Sequence, residues 1–250
     1  MIGPQAPPTP DASSRIESSP MPEATPDSSR VAAFFDVDGT IVEGNVVLYY
    51  VRIRTQWMRM RRRALWTAAF ALRVPMYLAL DAASRAWFQS TLYREYKRFT
   101  PEELASRARL HFERDMTSRL LPGAMERIQE HLQAGHRVVL VTGSLREIVS
   151  PLAAHVQATD LLAADLEVRD GAYTGKLRGG ALAGDRKARA VADYVARNGL
   201  EAAACHAYAD SKDDLPMLGT VGHAHVVNPK GRLQRTARRA GWEILRWERT

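Results

Sequence analysis

The sequence predicts an α/β protein whose mainly parallel sheet is covered on both faces by helices. Three observations predict it. Apolar runs at 31–35, 137–141 and 204–209 are too short for helices, and each stops at small polar or acidic residues. Segments of helical periodicity separate those runs, and strands alternating with helices imply parallel pairing. The composition, 46% apolar and 25% charged over 250 residues, is that of a soluble globular enzyme with a full core, as one large domain with an insertion or two small ones.

Residues 1–30 hold seven of the thirteen prolines and six serines, with few large apolar side chains, so they are expected to form a disordered tail. Residues 31–35 read as a buried strand. From 46 to 120 the pattern is helical and basic, with breaks near Pro75 and Thr100-Pro101. Pro122-Gly123 opens a helix over 124–133, which Ala134-Gly135 ends. HRVVLVTGS (136–144) supplies a strand at 137–141 and a polar turn, and 145–155 resumes helix. Alternating runs around Asp170-Gly171 predict a hairpin over 161–177. Residues 185–197 read as helix, 204–209 as strand, Leu215 onward as a short helix, 223–227 as strand, and the segment from Lys230 as a basic helix. No internal repeat is evident.

The net charge of +7 is uneven. Residues 51–100 carry eleven Lys or Arg against two acids, and 230–250 carry seven against two, leaving the remainder acidic. A local basic field steers anions: nucleic acid, anionic lipid or phosphorylated metabolites. The lone Cys205 excludes an internal disulfide and reads as a small core residue in a reducing compartment. The first thirty residues contain no continuous apolar stretch of the secretion-signal kind, so a cytoplasmic location is expected.

The three most apolar strands end alike: at Asp36-Val37-Asp38-Gly39-Thr40, at Thr142-Gly143-Ser144, and at Asp210 with Asp213-Asp214 beyond. In open parallel sheets the carboxyl ends of the strands form the ligand crevice, so these groups should converge, with Lys187 nearby at a helix start. Two acids one residue apart at the mouth of a core strand are costly unless a cation or substrate needs them. Hard oxygen donors without Cys or His favour Mg²⁺. A cation among acids, with the Thr142 hydroxyl, the Gly143 amide and a lysine, makes a phosphate site.

These residues resemble the haloacid dehalogenase-like phosphohydrolases, in particular their phosphoserine phosphatase-like branch. The resemblance rests on four elements in order: DVDGT at 36–40, VTGS at 141–144, Lys187 in GDRKARA, and YADSKDDLPML at 208–218. The hairpin DLEVRDGAYTGKL adds to it, and 46–120 is the least alike. It implies a Rossmann-like core at 31–45 and 121–250, with an inserted α-helical cap at 46–120. It also implies an Mg²⁺-dependent phosphomonoester hydrolase. Asp36 would be the nucleophile that becomes an aspartyl-phosphate, and Asp38 the acid and base. Mg²⁺ would be held by Asp36, Asp210 and the backbone carbonyl of Asp38, with Asp214 on a metal-bound water. Thr142, Gly143 and Lys187 would hold the phosphoryl group, and Thr40 would brace the loop.

Blander roles remain beside these. Thr142, and Ser144 more readily, could merely cap the following helix; Asp213 reads as an exposed neighbour of Asp214, and Lys176 and Lys212 compete with Lys187. His223 and His225 share one strand face but lack a third ligand, so packing or exposure is expected of them rather than metal binding.

The resemblance implies a small phosphorylated metabolite or a lipid headgroup phosphate as substrate. In relatives that hydrolyse phosphoserine an acid stands seven positions after the second Asp; here that position is Asn45, with Glu43 the nearest acid. Phosphoserine is therefore the alternative. Residues 64–80 hold Arg73 and Pro75 and follow Arg61-Arg62-Arg63. They read as the cap's own core or as an interfacial segment on anionic lipid, with Trp57, Trp66 and Phe70 partly buried; a membrane span is disfavoured. A basic protein that binds nucleic acid or membrane without catalysis is the rival of another class, although no nucleic-acid-binding motif is present. Phosphotransfer to an acceptor other than water would use the same residues. Nothing in the sequence sets an oligomeric state.

Overall fold

The computed structural model describes residues 27–248. The tail expected over 1–30 lies outside the described residues, apart from a single helical turn at Ser28–Arg30 and the Asp27 that caps it.

Strand β1 (Ala32–Phe35) is central because all four of its side chains are fully buried. After it come helices α1 (Val46–Thr55), α2 (Met60–Ala71), α3 (Val74–Ala83), α4 (Arg85–Leu92) and α5 (Pro101–His111), then α6 (Pro122–Gln133). The chain continues through β2 (Arg137–Leu145), α7 (Arg146–His155), β3 (Asp160–Ala164), β4 (Leu166–Arg169), β5 (Ala172–Leu177), α8 (Asp185–Arg197) and β6 (His206–Ala209). It closes with α9 (Leu215–Leu218), β7 (His223–Val227), α10 (Gly231–Ala240) and β8 (Glu243–Leu245).

Six strands form one sheet in the order β3-β2-β1-β6-β7-β8, and every pair in it is parallel. The strand period of two sends Phe35 to one face and Phe34 to the other, each into its own apolar cluster. The Phe34 face is closed by α8, whose Val191, Tyr194 and Val195 are buried at helical spacing. The Phe35 face is closed by α6 and α7 and runs on into aromatic residues of the 46–120 segment, Tyr50, Tyr93 and Tyr96 among them.

Two expectations need correction. The 161–177 hairpin is shorter than predicted: β3 joins the main sheet beside β2, and only β4 and β5 pair with each other. Both readings satisfy the same alternation, and only the partner distinguishes them. The tail from Lys230 is helical only to Ala240; Gly241, at φ +69, ends α10 and lets β8 form the sheet edge.

Residues 64–80 are two helices, not one. The break falls at Leu72 and Arg73, just before Pro75, whose ring is tolerated only in a first helical turn. Among the described residues no helix is long and apolar enough to cross a membrane. Phe70 and Tyr77 are buried, and Trp66 stacks on Phe70 at 5.1 Å, whereas Leu65 and Leu72 are 74% and 83% exposed.

Candidate active site

The ladder carries β1 one residue further, Asp36 N–H donating to the Tyr208 carbonyl at 2.9 Å, and the chain then turns. Backbone amides of Thr40, Ile41 and Val42 all reach the Val37 carbonyl, which coils the DVDGT segment tightly. Gly39 sits at φ +93, and a Cβ there would lie 2.2 Å from Asp210 Oδ2. Glycine is thus required twice, for the turn and for the close approach of a carboxylate from β6.

Asp36 is buried. Lys187 donates to its Oδ1 at 2.6 Å and the Thr40 hydroxyl to its Oδ2 at 3.2 Å. Lys187, in the first turn of α8, also donates to Asp214 Oδ1 at 2.7 Å. The competing Lys176 and Lys212 are exposed. Carboxylate oxygens of Asp36, Asp210 and Asp214 lie within 4.8 Å of one another.

Burial pushes the Asp36 carboxyl up to about 8, against the pull of Lys187 and with the help of the neighbouring acids. Asp210 is likewise raised, to about 6, by burial and then by Asp214. Burial works to discharge Lys187, but Asp214 and Asp36 outweigh it and hold the ammonium charged. One ammonium among three buried carboxylates leaves excess negative charge, and the donors are all oxygen. That set fits a hard divalent cation.

Asp38 points elsewhere. Its Oδ2 accepts from Ser144 Oγ at 2.7 Å and Thr142 Oγ1 at 3.2 Å, while its Oδ1 is buried without a hydrogen-bond partner. Thr142 also accepts from the Ser144 amide at 3.0 Å. The Thr142 hydroxyl expected on a phosphoryl group is therefore on Asp38 here. Ser144, expected only as a cap, makes the shorter bond to that acid. Gly143 faces the cavity above Asp36.

Sequence reasoning missed the roof of this cavity, which α4 supplies. Arg85 and Gln89 line it, four residues apart on one helical face, with Val46 beside them. The Tyr93 hydroxyl donates to the Gly143 carbonyl at 2.5 Å, and a Cβ on Gly143 would lie 2.0 Å from Gln89 Nε2. The space there is only about 30 Å³, room for little more than water. Asn45 does not line it; its side chain accepts from Leu48 N at 3.0 Å and caps α1. Of the predicted site residues, Asp36, Asp38, Gly143, Lys187 and Asp214 line the cavity, and Asp210 opens to the cleft beside it.

Residues 33–219 match the family of haloacid dehalogenase-like hydrolases. The chain is also 33% identical to a Mycobacterium tuberculosis protein named phosphoserine phosphatase SerB1, over 98% of this chain and 82% of that one. The chain belongs to the haloacid dehalogenase-like hydrolases. This hydrolase is a phosphatase, of the phosphoserine phosphatase-like kind, acting on phosphomonoesters. Its fold is shared with a Bordetella pertussis protein of unknown function, at TM-score 0.72 and 24% identity over 86% of this chain and 98% of that one. A phosphoserine phosphatase in apo form matches at TM-score 0.64 and 18% identity, over 88% and 94%.

Proposed function

We propose that this hydrolase cleaves phosphomonoesters in two steps through an aspartyl-phosphate at Asp36, with Mg²⁺. The observation that carries the reading is the division of labour between Asp36 and Asp38. Asp36 is held among Lys187, Asp210 and Asp214, where a bound cation would keep it ionised. Asp38 is held through Oδ2 by two hydroxyls, leaving Oδ1 to carry a proton.

In the first step the Asp36 carboxylate bonds to phosphorus as the bond to the leaving oxygen breaks, and Asp38 gives that oxygen its proton. In the second, Asp38 takes a proton from water, which attacks phosphorus and frees Asp36 and inorganic phosphate. Lys187 and the Gly143 amide face the phosphoryl oxygens. Asp36, Asp210 and the Asp38 carbonyl would hold Mg²⁺, with Asp214 behind a bound water. The ion neutralises charge on the transferring group.

A one-water cavity admits no substrate, so residues 46–120 act as a cap that must swing open, α4 lifting Gln89 and Tyr93 from Gly143. Next to the catalytic cavity, and sharing Val46 and Arg85 with it, lies an apolar cavity of about 360 Å³ lined by Val47, Leu48, Val51, Val74, Tyr77 and Phe88. Such a neighbour suits a leaving group with an anionic or polar end near Arg85 and an apolar body. This supports a lipid phosphate over phosphoserine. Exposed Trp57, Met60, Leu65 and Leu72 beside Arg61, Arg62 and Arg63 support docking on anionic lipid.

Phosphate release with and without Mg²⁺ tests the reading, comparing L-phosphoserine with phosphatidylglycerophosphate in mixed micelles. Release from the lipid that needs Mg²⁺ and vanishes in Asp36→Asn is expected. Preference for phosphoserine would sink the lipid reading alone. Equal rates in wild type and Asp36→Asn would sink the catalytic one. Protein that stays in the supernatant with anionic vesicles at low salt would refute docking.

A further inference from the structure

Five of the seven histidines meet at the opposite end of the sheet from the acids. His131 comes from the last turn of α6, His136 from the loop before β2, His206 from the start of β6, and His223 and His225 from β7. One ring nitrogen from each of His131, His136 and His206 lies within 4.8 Å of the others. We infer that His131, His136 and His206 bind a borderline transition cation, Zn²⁺ foremost, at the amino ends of the strands.

Hydrogen-bond accounting supports the assignment. Glu243 Oε2 lies 2.5 Å from His225 Nδ1, and His225 Nε2 lies 3.0 Å from His206 Nδ1. A carboxylate only accepts, so His225 donates at Nδ1 and accepts at Nε2, and His206 donates from Nδ1. That leaves the Nε2 lone pair of His206 for a metal. A ligating histidine whose second nitrogen donates toward a carboxylate is the arrangement that fixes tautomer and ring orientation at zinc sites.

His131 is anchored in the same way, its Nε2 lying 2.8 Å from the Tyr208 hydroxyl. Its Nδ1 then lies 2.9 Å from His136 Nδ1, two nitrogens that need one shared proton or one shared cation. Tetrahedral Zn–N bonds place ligand nitrogens about 3.3 Å apart, so the two rings need to separate by only a few tenths of an ångström. The half-buried His136 leaves the fourth position to water.

Burial lowers His131 and His206 to about 3 and also lowers His136, so all three are neutral and able to ligate. Arg127 opposes a cation here, but its guanidinium pairs with Glu130 at 3.1 Å, and Glu243 faces the cluster through His225. Three imidazoles select zinc, nickel or copper over Mg²⁺. The site is separate from the acids: Asp210 lies four positions beyond His206, about 13 Å along an extended strand.

The test uses the full chain, stripped by chelator, in millimolar Mg²⁺ so that the oxygen site is occupied. Zn²⁺ binding is measured by equilibrium dialysis and by the shift of the thermal midpoint. One Zn²⁺ per chain is expected, retained in Asp210→Asn and weakened at least tenfold in His136→Ala and in His206→Gln. Co²⁺ should bring visible absorption of tetrahedral intensity that His136→Ala abolishes. His136 lies in a half-buried loop, so its variant folds and decides the matter even if His206→Gln does not fold. Zn²⁺ binding that disappears in Asp210→Asn, or that His136→Ala leaves unchanged, overturns the assignment, as does no binding at all.

Discussion

The two ends of the central strands solve the same electrostatic problem with opposite chemistry. At the carboxyl ends, Asp36, Asp210 and Asp214 crowd together, and burial pushes the carboxyls of Asp36 and Asp210 upward. At the amino ends, His131, His136 and His206 crowd together, and burial drives their protons off. Each cluster offers donors for a cation of its own kind: hard oxygen for Mg²⁺ at one end, imidazole nitrogen for zinc at the other. A parallel sheet can thus carry two sites of unlike selectivity on the same strands, because neither set of ligands competes for the other's ion.

The largest effect expected breaks one end and spares the other. Asp36→Asn should lower phosphate release on the order of 10⁴-fold or more, while Zn²⁺ binding at the histidines is unchanged. Residual turnover above a hundredth of wild type would remove Asp36 from the role of nucleophile.

Glycines near the two ends give the next contrast. Gly39→Ala combines φ +93 with a Cβ 2.2 Å from Asp210 and should cost about 3 kcal/mol, with most of the activity. Gly135→Ala, beside His136, combines φ +75 with a milder 3.2 Å contact to Ser28 and should cost about 1 kcal/mol, with activity intact. Urea midpoints check both, and equal costs would show that the Asp210 contact relaxes freely.

Acidity should pull the ends apart in chelator-treated protein. Asp36 has its folded pKa raised from 3.8 to about 8, so its stabilising contribution is full below 3.8 and is lost as pH rises through 8. His131 and His206 have theirs depressed from 6.5 to about 3, so their contribution is present above 6.5 and is lost as pH falls toward 3. Stability should therefore fall on both sides of a maximum, by at most about 1.4 kcal/mol per pH unit for Asp36 and His131 inside their windows, and by less for the more exposed His206, whose charge water screens. Mg²⁺ should flatten the alkaline limb and leave the acid limb in place. A profile that Mg²⁺ shifts uniformly would contradict this division. The smallest effect belongs to Ser144→Ala, which removes the 2.7 Å bond to Asp38 and should lower kcat about tenfold with KM little changed.

Much of the carboxyl end was legible because its residues follow apolar strands directly, and a parallel sheet gathers strand ends at one edge. Asp36, Asp38, Gly143, Lys187, Asp210 and Asp214 all meet there, although the Thr142 hydroxyl sits on Asp38. Ser144 was misjudged because a hydroxyl after a strand caps a helix in most settings, and only the fold brings Asp38 beneath it. The roof from α4 was invisible because Arg85 and Gln89 are ordinary polar residues of a helix until the cap lies over Gly143. The histidine end shows the limit of local patterns most clearly. His223 and His225 pack or lie exposed, as their lack of a third ligand predicts, but His206 stacks on both, at 4.6 and 5.3 Å, and brings His131 and His136 with it. Those partners come from α6, the loop before β2 and the start of β6, with no periodicity to announce them. β8 escaped notice for the same reason, since three residues after a helix form a strand only when β7 is beside them.

The two chain crossings that join residues 46–120 to the core lie side by side, although the segment also packs broadly on α7, β5 and the Phe35-face core. Val42 bridges Leu120, the Glu43 amide donates to the Arg119 carbonyl at 2.8 Å, and the Leu121 amide donates to the Ile41 carbonyl at 2.9 Å. The chain leaves and returns side by side, so to the sheet the whole insert is equivalent to one tight hairpin loop. Its outer helices can therefore change in length without disturbing the register of a strand, provided that the aromatic face that packs on the core is kept. A laboratory graft cut at this stem should transplant substrate choice while leaving the bond-breaking machinery where it stands.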